Sequence, residues 1–194
     1  MCRTSMNAKG PPVKITTVGE VLYWSYANLA MAHSAVTEQM GEYGRMQYII
    51  RARLYSGLKQ QTMRIGPLAD DERLKMVLPQ ACGYCGGRER LSVDHLIPTK
   101  RGGANVGDNL VWACRSCNSA KCARDMLEWL AERNEFPSLL LLRRYLKLAI
   151  EMARERNVMN HSLAEIPDLP FSLAAIPRIF PPPHKLRLWV IPLE

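Results

Sequence analysis

Apolar positions along the chain follow a helical period, then briefly a strand period, then a helical one again. Val21, Leu22, Trp24, Leu29, Ala30, Met31 and Val36 fall on more than one face of a helix expected over about 18–40. Such a helix is buried against several neighbours or against a partner. Thr17-Val18-Gly19-Glu20 has the T-x-x-E form of a capping box at its start, and His33 reads as a satisfied core or edge histidine. After Gly41 and Gly44, a second helix is expected from about Arg45 to Lys59. Met46, Ile49, Ile50, Leu54 and Leu58 lie on one side of it, and Arg45, Tyr48, Arg51, Tyr55 and Lys59 on the other. Gly66-Pro67 breaks the chain, Asp70-Asp71-Glu72 starts a short helix, and Pro79 stops it. The period then falls to two. Leu91-Ser92-Val93 and Leu96-Ile97 frame Asp94-His95, and Asn109–Ala113 reads as the return strand. Helical periodicity resumes over Asn118–Arg133, with Met126, Leu127 and Leu130 inward, and over about 138–156. In that last helix Leu139, Leu142, Tyr145, Leu146, Ala149 and Ala153 form one face. Arg143, Arg144, Lys147, Glu151, Arg154 and Glu155 form the other. It reads as a scaffold helix without chemistry.

This order makes an α+β chain in three parts: a helical region at 1–79, a small ββα module at 80–133, and a helix with a proline-rich tail at 134–194. From Val158 onward prolines dominate. Phe171, Ile176, Phe180, Trp189 and Ile191 imply that the tail packs onto something rather than floating. Residues 1–16 read as a leader. They have no apolar secretory core, and no stretch is apolar enough to span a bilayer, so a cytoplasmic location without membrane insertion is expected.

Charge adds a partner class. The 194 residues carry a net +8, spread as +4, +2 and +2 over the three parts. A polyanion, nucleic acid first, suits this balance if the fold gathers the charge on one surface. From Tyr43 to Ala69 no acidic residue occurs. The Arg45, Arg51 and Lys59 face, interleaved with tyrosines, is a candidate phosphate-tracking surface. The alternative is a solvated helix face whose tyrosines pack at its margins.

Cysteine spacing changes the picture more. Cys82/Cys85 and Cys114/Cys117 form two Cys-x-x-Cys pairs, 28 residues apart, enough to hold a hairpin between them. Each pair offers two thiolates to one ion, and four thiolates close a tetrahedral zinc site. A closed site has no open position for substrate, so zinc is expected to brace the hairpin. Cys2 and Cys122 read as free thiols.

Between the pairs, Asp94-His95-Leu96-Ile97-Pro98, Gly102-Gly103, Asn109-Leu110-Val111 and Cys114-x-x-Cys117-Asn118-x-x-Lys121 occur in order. This string resembles the HNH endonuclease motif of the ββα-metal nucleases in its zinc-knuckle form. The resemblance implies that His95 is the general base that activates water against the scissile phosphorus, a task suited to an imidazole. It implies that Asp94 and Asn118 hold a catalytic ion, Mg²⁺ or another divalent, for which oxygen donors are apt. Asn109 would hold the intervening loop and fix His95. Lys100, Arg101 and Lys121 are candidate phosphate contacts. DNA is the implied substrate, nicked with low sequence specificity to leave 5′-phosphate and 3′-hydroxyl ends. The wider run from Trp24 to Leu142 is similar to HNH nucleases of bacterial anti-phage cassettes, type II Zorya effectors among them, so other defence-system proteins are candidate partners.

Other readings stand beside these. Asp94 could serve only to orient His95, His95 could be a spare zinc ligand, Asn109 could be a turn residue, Asn118 an N-cap at a helix start, and Lys100 and Arg101 only loop charges. The module could bind nucleic acid or protein without cutting, or belong to a phage or restriction-type HNH enzyme. The intact set Asp94, His95, Asn109 and Asn118 favours the nuclease, because a pure binder has no need of the Asp94-His95 pair.

Overall fold

The computed structural model describes residues 13–166 and 168–191. Cys2, most of the expected leader, Pro167 and Pro192 lie outside them. Among the described residues, six α-helices and one hairpin follow in chain order: α1 (Val18–Thr37), α2 (Arg45–Lys59), α3 (Leu68–Val77), β1 (Leu91–His95), β2 (Leu110–Cys114), α4 (Arg115–Lys121), α5 (Met126–Glu132) and α6 (Leu139–Glu155). The α+β class holds. No helix among the described residues is long and apolar enough to cross a membrane.

A single core draws on all three parts of the chain. Val21 and Leu22 of α1, Leu96, Ile97 and Val111 of the hairpin, Tyr145 and Leu146 of α6, and Phe171 and Ile176 of the tail belong to one buried cluster. The surface onto which the tail packs is therefore the protein's own. Tail carbonyls also complete helix ends. Arg187 and Leu188 accept from the backbone N–H groups of Leu139 and Leu140, which the start of α6 would otherwise leave unpaired. Residues 159–163 bond to the start of α1, and Arg178 accepts from the Trp24 indole.

The start of α1 is a modified capping box. Thr17 accepts from the Glu20 N–H, whereas Glu20 reaches back to Thr16. The hairpin is antiparallel and in register from Leu91 opposite Cys114 to His95 opposite Leu110.

Three expectations about elements are corrected. The first concerns α2, whose buried side straddles the two expected faces: Leu58 is buried as expected, but so is Tyr55, while Met46 is 63% exposed. The reason is aromatic packing. Tyr55 meets Trp24 edge-on, Arg51 lies over the rings of Trp24 and Tyr48, and Lys59 pairs with Glu20. Arg51, Tyr55 and Lys59 of the stripe expected to face phosphate thus contact α1, while Arg45 and Tyr48 stay exposed.

The second concerns 118–133, which is not one helix. Arg115 already begins α4, and Cys122 ends it at φ 53°. Asp125 then caps α5 through the N–H groups of Leu127 and Glu128. Asn118 is interior to α4, not its cap.

The third concerns the polar face of α6, which is only partly solvated. Arg144 and Lys147 are buried. Lys147 bonds Asp71 and the Pro67 carbonyl, and Arg143 also pairs with Asp71.

Candidate zinc knuckle and active site

The four predicted thiols converge. The sulfurs of Cys82, Cys85, Cys114 and Cys117 all lie within 4.8 Å of one another, and Cys85 and Cys114 are 3.7 Å apart. That distance is far too long for a disulfide. A tetrahedral zinc with bonds of about 2.3 Å spaces its sulfurs by about 3.8 Å, so the donor set suits a zinc-type ion. Local sequence explains the geometry. Gly86 takes φ 78°, and a side chain on Gly83 would strike Val111 at 2.6 Å. The Cys114 sulfur also accepts from the Cys117 N–H, which makes it the cap of α4. That N–H, chiefly, draws the Cys114 thiol down to about 7, while burial pushes Cys82 and Cys117 up. The knuckle and the start of α4 are thus one structure.

Asn109 is the most fully used side chain nearby. It is 1% exposed; its amide oxygen accepts from the Ile97 N–H at 2.9 Å. Its amide nitrogen donates to the carbonyls of Ile97 and Ala104 at 2.8 and 2.9 Å. It therefore closes the 97–104 loop on itself. Gly103 permits the closure, because a Cβ there would sit 2.0 Å from the Ile97 carbonyl. Arg144 supports the far end of the loop by donating to the carbonyls of Gly107 and Asp108, both at 2.6 Å, and by pairing with Glu72.

His95 ends β1, half-buried, with Nε2 3.0 Å from the Asn105 Oδ1. The backbone is tied on both sides of it. Its own carbonyl accepts from Lys121 at 2.7 Å, the Leu96 N–H donates to the Asn109 carbonyl, and the Leu96 carbonyl accepts from Met126.

Asp94 points to the side of β1 that α4 covers. It is 6% exposed and accepts at 2.6 Å from the Tyr84 hydroxyl, which burial and then Asp94 itself hold in its protonated form. The Lys121 ammonium sits 3.1 Å from both of its oxygens. Asn118 donates to Ser92 Oγ at 2.9 Å and to the Val93 carbonyl at 3.3 Å. Asp94 and Asn118 thus share the seam between β1 and α4, but they do not bond each other.

Lys121, expected at a phosphate, is corrected: it is 1% exposed and bound to Asp94. The one-turn spacing from Asn118 does put both residues on the same helix face, but that face meets β1. Arg101 pairs with Glu128, Lys59 with Glu20, and Arg51 is stacked and bonded to Asn28. Only Lys100 and Arg45, of the six cations expected at nucleic acid, are exposed without a side-chain partner among the described residues. Tyr84, Asn105 and Arg144 are neighbours of the site that sequence did not single out. Tyr84 had one signal, its place inside the first Cys-x-x-Cys; Asn105 and Arg144 had none.

Comparison with known families gives one result: residues 82–124 match the model of the HNH endonuclease family. Neither the curated proteins nor the solved structures give a match. Residues 82–124, which match this family, contain the four-cysteine cluster.

Proposed function

We propose that, through this HNH domain, the protein is a metal-dependent endonuclease that hydrolyses DNA, with His95 as general base. The observation that carries this reading is the closure of the 97–104 loop by Asn109. It leaves His95 as a ring fixed from its backbone at the mouth of the loop. With the Asn105 oxygen accepting from Nε2, Nδ1 keeps its lone pair. Nδ1 takes a proton from water as the water oxygen bonds to phosphorus, and the bond to the 3′ oxygen breaks. Asn105 orients the ring, and Asn109 acts through the loop as a positioning residue.

A divalent ion, when bound, supplies positive charge against the charge that grows on the phosphoryl and leaving oxygens. The donors fit such an ion in kind: the Asp94 carboxylate and the Asn118 amide oxygen are both hard, and both lie in the β1–α4 seam. Lys121 now neutralises Asp94, so holding an ion there requires its ammonium to withdraw. The four cysteines would hold zinc, which would keep α4, and with it Asn118 and Lys121, against β1.

One site per chain cuts one strand, so nicking is the expected activity. Anti-phage defence, with partner proteins restraining the cut, is the setting that the run from Trp24 to Leu142 suggests. The competing reading, binding without cleavage, draws on the same Asp94–Lys121 pair, since a carboxylate whose charge is already met needs no ion. Incubation with supercoiled plasmid separates the two. Cleavage predicts open circles with Mg²⁺ and intact plasmid with His95→Ala; binding alone predicts intact plasmid with both.

A further inference from the structure

We infer that the groove at the open end of the hairpin, lined by Arg88, Arg90 and Arg115, is the surface that holds the backbone of duplex DNA; this rests on the nuclease reading and names its substrate surface. The groove measures about 760 Å³, and Ser116 and Ser119 of α4 complete its basic wall. All three arginines and both serines are exposed. None of the three guanidiniums makes an ion pair or a side-chain hydrogen bond among the described residues. Glu89 is the one acid in the lining, which leaves the wall at +2.

Clustering sets these three apart: Arg45, Arg53, Arg64, Arg73 and Lys100 are also exposed without a side-chain partner among the described residues, but they are scattered over α2, α3 and the loops. The neighbouring cleft on the other side of the knuckle, about 550 Å³, also carries cations, and all but Lys185 are engaged. There Arg133 pairs with Glu135, Arg187 donates to the Tyr84 carbonyl, and His184 bonds the Gly41 carbonyl. Most of the sequence-predicted contacts are engaged as well. Guanidiniums left free beside hydroxyl donors match phosphate oxygens, which take charge-assisted hydrogen bonds from both.

The location suits the chemistry. Arg90 directly precedes β1 and Arg115 directly follows β2, and the Arg115 N–H donates to the Arg90 carbonyl, locking the two together. His95 lies at the other end of β1, five residues on from Arg90, which is roughly 17 Å at strand rise. Duplex DNA presents one phosphate per strand about every 3.4 Å of axis. The groove and His95 would therefore engage phosphates about five steps apart on one duplex. Arg90 sits at φ 49°, an uncommon conformation for a residue other than glycine at a strand entry, and is exposed.

The test is the salt dependence of duplex binding, measured by fluorescence anisotropy in a His95→Ala background that retains zinc. Neutralising one phosphate contact lowers the slope of log K against log salt by about 0.9. The variant Arg88→Ala/Arg90→Ala/Arg115→Ala is expected to lose about 2.7 from that slope. Arg53→Ala/Arg64→Ala/Arg73→Ala, equal in charge removed, should leave it nearly unchanged. Because Arg115 lies between two zinc-binding cysteines, Arg88→Ala/Arg90→Ala is measured too, with zinc content, and should lose about 1.8. Equal slopes for the groove and control variants overturn the inference, and if the groove variant in a His95-intact chain still nicks plasmid normally, the nuclease reading stands. A parent chain that neither binds duplex nor, with His95 intact, cuts it overturns both.

Discussion

Lys121 is where the chemistry of single residues departs most from its sequence pattern. Its spacing from Asn118 suggested a free cation for phosphate, yet it lies buried on Asp94, and nothing in a local pattern reports a contact made 27 residues back. Removing one member of a buried pair leaves the other charged and unmatched. Lys121→Met should cost about 3–5 kcal/mol of unfolding free energy. If Asp94 is an ion ligand, Mg²⁺ should recover part of that loss by taking the lysine's place, and Asp94→Asn in the same chain should recover it without the ion. Denaturant melts of the single and double variants, with and without Mg²⁺, read this directly. Asn109 was legible from its place in the motif, although its three bonds were not. Asn109→Ala strands a buried N–H and two carbonyls, and should cost about 2–4 kcal/mol. Chemical denaturation measures it, and a cost below about 0.5 kcal/mol would contradict the role.

Among elements, the hairpin and the cysteine pairs were readable because both rest on short spacings. The break between α4 and α5 was not. It depends on Cys122 adopting φ 53° and on Asp125 caps that compete with a continuous apolar stripe. The orientation of α2 escaped for a similar reason. Periodicity separates two faces, but Trp24 on another helix draws in Tyr55 and Glu20 pairs with Lys59, so burial crosses from one face to the other beside Leu58. The coupling of knuckle to α4 through the Cys114 cap makes an element-scale prediction. Stripping zinc should release α4 from β1, and with it the bonds from Asn118 and Lys121. Amide exchange after chelation should rise first across 82–87 and 114–122, with α1 and α6 still protected. Uniform loss of protection would point to a whole-fold role for the ion, and no change would remove its structural role.

Across the whole molecule, α6 departs furthest from what its sequence suggests. The tail was expected to pack onto something, and what it packs onto, the protein's own core with Phe171 and Ile176, was not readable from its prolines. The face of α6 taken for a scaffold places Arg144 under the 97–109 loop. Such closure is long-range and leaves no periodic trace. Packing of α1 onto α6 also sets a pH dependence. Burial, and then Arg143, lower the proton affinity of His33 from its ordinary value of 6.5. The unfolded chain therefore binds this proton more readily than the folded one. Stability is full above about pH 6.5 and declines as pH falls from there towards the folded-state value. Thermal midpoints should drop between about pH 7 and pH 5, and His33→Gln should flatten that portion of the curve. An unchanged slope would assign the effect elsewhere.

All of these scales meet in one proposal, that a zinc-braced hairpin presents His95 as the base that hydrolyses DNA. Single-turnover cleavage of an end-labelled duplex by zinc-loaded wild type and His95→Ala, with duplex binding measured on the same samples, addresses it without intermediaries. The rate should fall about 10²–10⁴-fold with binding unchanged, and the wild-type product should carry 5′-phosphate and 3′-hydroxyl ends. Equal rates for the two proteins, or a wild type that binds duplex and leaves it uncut with every divalent ion, would contradict it.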